Sequence, residues 1–226
     1  MTDKFEKEVL VVPRAKLFLE DEFTGFREMK GAEYLKRIKN SFEFIKRGLA
    51  ETNPSYKQII PYAVIANKKK GKAYLYTRGA GKGYSEKRLY SKGSMGVGGH
   101  IEHEDCNEGE KGFLEKAMLR EISEEISIKG KMEYKLFGFI NFENTEVSRV
   151  HFGVVYLVET DAEEVSFNNE EIASGKMISG EELEKAAGEM ELEEWTEILI
   201  APIKKYLAEK VQARKKEKGI KELSRK

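Results

Sequence analysis

Three glutamates lie close together in the segment 120–126, which reads Arg-Glu-Ile-Ser-Glu-Glu-Ile. On an α-helix, Glu121 and Glu125 are one turn apart and Glu124 is beside them, so the three carboxylates project from about a third of the circumference. Carboxylates so close repel unless a cation lies between them, and Mg²⁺ and Mn²⁺ prefer oxygen ligands. The pattern therefore predicts a divalent-metal site. Considered without its context, the same pattern also fits a solvated acidic helix face.

The apolar residues around this cluster predict the helix that holds it. A helix from about Phe113 to Ile126 is indicated by an apolar edge with a period of four residues: Leu114, Met118, Ile122 and Ile126. Upstream, the segment 98–102 contains a glycine pair that can form a tight loop next to a ligand. The sequence thus predicts a glycine loop followed by an acidic helix.

Strand patterns surround this unit. β-branched residues predict strands at 8–12, 57–66, 72–78, 134–141, 150–159 and 175–179. The second and third of these strands are joined by a polar turn and should form a hairpin. We predict helices at 33–48, 181–187 and 193–208, with Pro202 as a kink or boundary in the last. The first of these helices follows from one apolar face: Leu35, Ile38, Phe42, Ile45 and Leu49.

Composition narrows the class of protein. A length of 226 residues predicts one elaborated α/β domain. The 40 basic residues balance 40 acidic ones, so the net charge indicates no nucleic-acid or membrane partner. Cys106 is the only cysteine, which excludes an intramolecular disulfide and a Cys-rich zinc site. No signal peptide or membrane-spanning segment is recognisable. We expect a soluble, cytoplasmic protein.

The glycine loop and acidic helix together resemble the Nudix box, Gly-x5-Glu-x7-Arg-Glu-U-x-Glu-Glu-x-Gly-U, where U is a bulky aliphatic residue. Gly99 matches the first glycine, and the second half is matched by Arg120, Glu121, Ile122, Glu124, Glu125 and Ile128. The resemblance implies a Nudix-type α/β/α sandwich with a mixed sheet, an N-terminal strand-helix extension and a C-terminal helix. Over residues 8–205 the chain is similar to a branch of the family known as predicted phosphoesterases.

The resemblance also implies a domain organisation and a reaction. Residues 1–55 would form the extension, 56–208 the hydrolase domain and 209–226 a basic tail. The expected activity is Mg²⁺-dependent hydrolysis, with Mn²⁺ as the alternative ion, of a diphosphate linkage in a nucleoside-diphosphate derivative. A homodimer is compatible with the sequence.

The box departs from the signature in three places. Gly99 lies 21 positions before Arg120 where the signature has 14, so residues 103–112 must hold a seven-residue insertion. Counted back from Arg120, the position of the first signature glutamate is Gly112, and Glu110 is the nearest replacement. Three more glutamates stand behind it: Glu102, Glu104 and Glu108. Ser127 replaces the final glycine.

The resemblance implies roles for the box residues. Metal ligands would be Glu121, Glu124 and Glu125, while Arg120 would orient the glutamates through bidentate hydrogen bonds. Glu110 is our hypothesis for the missing signature glutamate, and the alternative is that water or Glu102 completes the ligand shell. The general base would be a box glutamate or one from a later loop, and four such candidates remain open: Glu143, Glu146, Glu170 and Glu171.

Substrate phosphates have candidate partners in two loops. Gly98 and Gly99 allow close backbone approach, and Arg78 and Lys82 belong to a glycine-rich basic segment that can attract phosphate. That segment also fits a surface loop without a binding role.

Two other readings of the chain stay open. One is a nucleotide-sensing module with weakened catalysis. The other is an enzyme acting on RNA 5′ ends, in which the tail from Lys204 onward, with ten basic and three acidic residues, supplies affinity. The tail lacks interleaved aromatic residues, which disfavours nucleic acid. The histidines, His100, His103 and His151, lack metal-ligand spacing, although His100 adjoins the glycine loop.

Overall fold

The structure, a computed structural model, describes residues 4–67, 69–79, 91–106, 112–168 and 172–223, with side chains to residue 209. Some of the candidate residues lie outside this part of the chain: Lys82, Glu108, Glu110, Glu170 and Glu171.

The described residues form a mixed α/β fold. The strands are β1 Glu8–Pro13, β2 Gly25–Glu28, β3 Glu43–Lys46, β4 Tyr56–Asn67, β5 Lys72–Arg78, β6 Gly93–Ser94, β7 Gly96–Gly98, β8 Ile126–Ile128, β9 Met132–Asn141, β10 His151–Thr160, β11 Val165–Phe167 and β12 Ile172–Ser179. The helices are α1 Arg14–Phe18, α2 Glu33–Ser41, α3 Arg47–Ala50, α4 Phe113–Glu125, α5 Glu146–Val150, α6 Gly180–Glu189 and α7 Glu194–Leu223. A 3₁₀ turn spans His103–Cys106. The predicted α/β class, the acidic helix and the β4–β5 hairpin are confirmed.

The chain divides into two compact units. The first contains Met1–Ala63, Gly98–Glu121 and Leu136–Tyr156. The second contains Val64–Val97, Ile122–Lys135 and Leu157–Lys226.

In the first unit, β1 is the central strand of an antiparallel set. It pairs with β3 through Val9↔Ile45 and with β4 through Val11↔Gln58, while β2 pairs with β9. Val9–Val12 are almost completely buried, as expected for an inner strand. Aromatic rings pack edge-on, tilted or stacked around the core of this unit: Phe18, Phe23, Tyr34, Phe139 and Phe152.

In the second unit, β5 pairs with β12, β6 and the end of β4, all antiparallel, and β8 pairs with β11. Helix α6 begins with a capping box in which the Ser179 hydroxyl accepts from the Glu182 backbone N–H and the Glu182 carboxylate accepts from the Ser179 N–H. Helix α6 packs on α7. Within the described residues, no helix is both long enough and apolar enough to cross a membrane.

The predicted helix at 33–48 is wrong in its second half. Helix α2 ends at Ser41, Phe42 is extended, and the next four residues form strand β3. Aromatic and β-branched residues favour a strand here, and pairing with β1 satisfies the backbone. The proposed apolar face does not exist, since Leu49 is 62% exposed while Ile38 is buried.

Pro202 does not end the last helix. Helix α7 continues through it to Leu223, so the predicted boundary at residue 208 is wrong. Leu199, Ile203 and Leu207 are buried on both sides of the proline. The stabilisation from burying this apolar face exceeds the cost of the backbone hydrogen bond that the proline removes.

Candidate active site

The glycine pair at the end of β7 is required by close contacts within the first unit. A Cβ on Gly98 would lie 2.1 Å from the carbonyl oxygen of Pro61. A Cβ on Gly99 would lie 2.4 Å from both Cδ and Oε1 of Glu121. Only glycine therefore lets the loop backbone approach the carboxylate of Glu121 this closely.

Asp105 holds the guanidinium of Arg120. The Arg120 Nε donates to Asp105 Oδ1 at 3.0 Å and its Nη2 donates to Asp105 Oδ2 at 2.8 Å, a bidentate charge-assisted pair. The Asp105 side chain is 2% exposed, and Oδ2 also accepts from the backbone N–H of Glu102 at 3.0 Å. The carboxylate is thus fixed in place by the turn that carries it.

The rest of the Arg120 guanidinium reaches the acidic helix and the glycine loop. Its Nη1 donates to Glu121 Oε1 at 2.7 Å, and its Nη2 donates to the carbonyl oxygen of His100 at 2.9 Å. The hydrogen bonds to Asp105, followed by the charge of Glu121, raise the pKa of Arg120. Arg120 therefore joins three segments of the chain: the turn at Asp105, the acidic helix and the glycine loop.

Asp105 was not among the site residues predicted from the sequence. Counted forward from Gly99, Asp105 occupies the signature's first glutamate position, so the insertion lies after it and before Arg120. Counting backward from Arg120 placed that position at Gly112 instead. The forward count was the available signal, although it gives aspartate where the signature has glutamate.

The three box glutamates differ in exposure along α4. The Glu121 side chain is 14% exposed, Glu124 is exposed, and Glu125 is 6% exposed. In the second unit, burial and then the negative charge of Glu125 raise the pKa of Tyr74 to about 12. The Tyr74 hydroxyl therefore stays protonated at neutral pH, and no sequence motif pointed to it.

Arg78 has a partner within the second unit. Its Nε donates to Glu193 Oε1 at 2.7 Å, and the other oxygen of Glu193 accepts from Ser94 Oγ at 2.8 Å. The Arg78 side chain is 12% exposed. This geometry gives Arg78 a structural contact besides the phosphate contact predicted for it.

Among the candidate bases, Glu143 is held by two cations. Lys57 Nζ donates to Glu143 Oε1 at 2.7 Å, and Arg14 Nη1 donates to Oε2 at 3.1 Å. Burial raises the pKa of Glu143, but the hydrogen bonds from Arg14 and Lys57 outweigh it and lower the pKa. Both oxygens are therefore engaged, which disfavours Glu143 as a base. Glu146 is exposed at the start of α5.

No protein-family model matches the chain. It is 31% identical over 207 residues to protein YmaB of Bacillus subtilis (strain 168), covering 87% of this chain and 97% of that protein. Among solved structures, it is similar to Tm1382, a protein classed as a Nudix hydrolase, with a TM-score of 0.67 and 29% identity over 88% of this chain and 99% of Tm1382.

Proposed function

The chain belongs to the Nudix hydrolases, which act on phosphoanhydride bonds, and from this premise we propose that it is a Mg²⁺-dependent pyrophosphohydrolase. The substrate class is a nucleotide-like small molecule with a diphosphate linkage, and Mn²⁺ is the alternative ion. The observation that carries the proposal is the clamp in which Arg120 joins Asp105, Glu121 and the glycine loop.

The box residues fit a hard divalent cation. Glu121, Glu124 and Glu125 present oxygen donors from consecutive turns of α4, the ligand type that Mg²⁺ prefers. The absence of a side chain at Gly99 leaves room for the Glu121 carboxylate beside the loop. We assign these three glutamates as the ligands. Asp105 occupies the signature position that Glu110 was predicted to fill, so Glu110 stays a predicted fourth ligand only on the ground of its place just before α4.

When bound, Mg²⁺ would neutralise diphosphate charge and lower the pKa of a coordinated water. The protein supplies the positioning. Asp105 fixes the plane of the Arg120 guanidinium, and Arg120 in turn fixes one oxygen of Glu121, so that the carboxylate needs no reorganisation during the reaction. Gly98 and Gly99 expose loop backbone to the substrate, and we propose them, with Lys82, as its contacts.

We propose as the general base a box glutamate or one of Glu146, Glu170 and Glu171, because Glu143 is engaged by Lys57 and Arg14. Glu124 is exposed on α4 and can reach solvent. We propose that hydrolysis belongs to residues 56–208, with 1–55 as an extension and 209–226 as a tail.

A substrate screen tests this function. The full chain would be incubated with a panel of nucleoside-diphosphate derivatives under Mg²⁺, Mn²⁺ or a chelator, and phosphate-containing products would be quantified. We expect metal-dependent release from at least one compound. We expect Arg120→Lys to lose most of the turnover, because an ammonium group cannot form the same bidentate pair. Turnover that persists in chelator, or that is unchanged in Arg120→Lys, would contradict the proposal.

A further inference from the structure

Three side chains with metal-binding donors meet in the first unit, away from the box glutamates in sequence. One donor atom from each of Glu51, His100 and His151 lies within 4.8 Å of the others. Glu51 caps the C-terminus of α3, His100 follows the glycine pair, and His151 begins β10. Because these three residues are far apart in the sequence, no metal-ligand spacing motif contains them.

Neighbouring groups orient both histidine rings. The His151 Nδ1 lies 2.7 Å from the carbonyl oxygen of Val147, so a neutral ring donates from Nδ1 and offers Nε2 as the ligand atom. The His100 Nε2 lies 2.8 Å from Oε1 of the buried Gln58, and when Nε2 donates to this oxygen Nδ1 is the nitrogen left for a metal. A carbonyl that holds one ring nitrogen orients the other toward a metal in known sites.

The carboxylate of Glu51 is oriented as well. Arg47 Nε donates to Glu51 Oε1 at 3.0 Å, and the side chain of Glu51 is 17% exposed. One oxygen is therefore held while the carboxylate keeps a second oxygen as a donor. The three donors are thus positioned by contacts on α3, β4 and α5 rather than by one another.

We propose that Glu51, His100 and His151 form a binding site for a transition-metal ion of the Zn²⁺ class. Two imidazoles and a carboxylate suit Zn²⁺ and its neighbours, whereas Mg²⁺ prefers oxygen ligands. A tetrahedral ion with bonds of about 2.1 Å places its ligands about 3.4 Å apart, so donors that lie within 4.8 Å of one another must approach by at most about 1.4 Å.

The imidazole of His100 is available as a neutral ligand. Burial, followed by the charge of Arg47, holds the pKa of His100 well below its usual range, so this imidazole is neutral at pH 7. His151, Lys4 and Arg120 act in the same direction. The nearby cations repel every divalent ion alike, so the preference for the Zn²⁺ class comes from the two imidazole nitrogen donors.

Occupancy of this site would act on the Arg120 clamp. The carbonyl oxygen of His100 accepts from Arg120 Nη2 at 2.9 Å, and Gly99 adjoins Glu121. An ion that fixes the His100 ring also fixes the loop beside the acidic helix. The site itself does not depend on the proposed hydrolase function, and its test uses binding rather than turnover.

Metal titration of the full chain tests the proposal. Chelator-stripped protein in excess Mg²⁺ would be titrated with Zn²⁺ by calorimetry and with Co²⁺ by visible absorption. We expect a single tight Zn²⁺ site and a Co²⁺ band typical of low coordination. Separate His151→Gln and Glu51→Gln variants should each weaken binding by about 100-fold or more, because each removes a ligand. His103→Gln is the matched control, since His103 lies on the surface beside Phe44 and Glu8.

Two further variants separate this site from other ligands. Cys106→Ser should bind normally, because burial raises the pKa of this thiol to about 11 and the thiolate that metals require is scarce. Glu125→Gln should also bind normally. Circular dichroism and thermal unfolding without metal would show that each variant is folded. Absence of Zn²⁺ binding by the folded wild-type chain would overturn the proposal, as would unchanged binding in both folded ligand variants or loss only in Cys106→Ser or Glu125→Gln.

Discussion

Asp105 accepts two hydrogen bonds from the guanidinium of Arg120, at 3.0 and 2.8 Å, although 15 positions separate the residues in sequence. The pair fixes the start of the insertion relative to the acidic helix. It also explains how an altered Nudix box keeps an oriented Glu121, because the carboxylate six residues after Gly99 takes the place of the signature glutamate.

Removal of the Asp105 charge should loosen Arg120. In Asp105→Asn the bidentate pair is lost, and we expect hydrolysis to fall by about 10- to 100-fold. The free energy of unfolding should fall by about 2 kcal/mol, since the Asp105 side chain is buried but Arg120 is partly exposed. Urea unfolding and steady-state kinetics would measure both. Exposed Glu104, changed to Gln, is the control, and equal effects in the two variants would refute the role of Asp105.

A side chain at Gly99 should displace Glu121. The Cβ of Gly99→Ala would overlap the Glu121 carboxylate at 2.4 Å, so we expect kcat to fall by about 10- to 100-fold while the fold persists. Gly188→Ala is the matched control, because nothing lies within 4 Å of its Cβ. Kinetics and circular dichroism of the two variants would decide the matter. Full activity in Gly99→Ala would show that the glycine is not needed for the carboxylate.

Burial of Lys57 should leave a signature in the pH dependence of stability. Burial lowers its pKa from 10.5 to about 8, against the opposing hydrogen bond from Glu143. Between pH 8 and 10.5 Lys57 binds more protons in the unfolded chain than in the folded chain. Its contribution to the free energy of unfolding therefore rises with pH, by up to about 3 kcal/mol. We would measure the free energy of unfolding with urea from pH 7 to about 10. It should increase with pH in the wild-type chain relative to Lys57→Met. Parallel pH profiles for the two proteins would contradict this assignment.

The basic tail should be dispensable for small-molecule hydrolysis. The last described buried side chains of α7 are Tyr206 and Leu207, and residues after 209 add mainly charge. A chain that ends at residue 209 should keep its kcat and KM within about twofold of the full chain, an expectation based on the exposure of terminal segments. A larger loss in a folded, truncated protein would place the tail at the active site or in a dimer contact. Salt-sensitive RNA binding that disappears on truncation would support the alternative of RNA 5′-end recognition.

Elements with a clear apolar pattern of their own were predicted correctly from the sequence. Apolar residues every fourth position marked α4, and a continuous apolar run marked β10, which is buried at all ten positions. The segment after Ser41 misled because Phe42, Ile45 and Leu49 also fit a helical period. Pairing with β1 determines that residues 43–46 form a strand, and pairing between distant segments cannot be read from the local sequence pattern.

Some residues of the candidate site were predicted from the sequence, and others were identified only from contacts in the structure. The glutamates of α4 and the glycine pair were predicted from local spacing. Asp105 became evident only when the structure brought it to Arg120, and His151 only when it lay beside His100, with ring centroids 5.5 Å apart. Contacts between distant segments depend on tertiary packing, which single-sequence periodicity does not encode.

We propose that the carboxylates of α4 hold the ion that makes diphosphate hydrolysis possible. This proposal is tested by the Mg²⁺-dependent turnover of Glu124→Gln and Glu125→Gln on a diphosphate substrate that the wild-type chain hydrolyses. Glutamine keeps the shape but removes the ligand charge, so each variant should lose about 100-fold or more in kcat. Glu104→Gln should retain wild-type turnover. Unchanged turnover and unchanged Mg²⁺ dependence in both α4 variants would contradict the account.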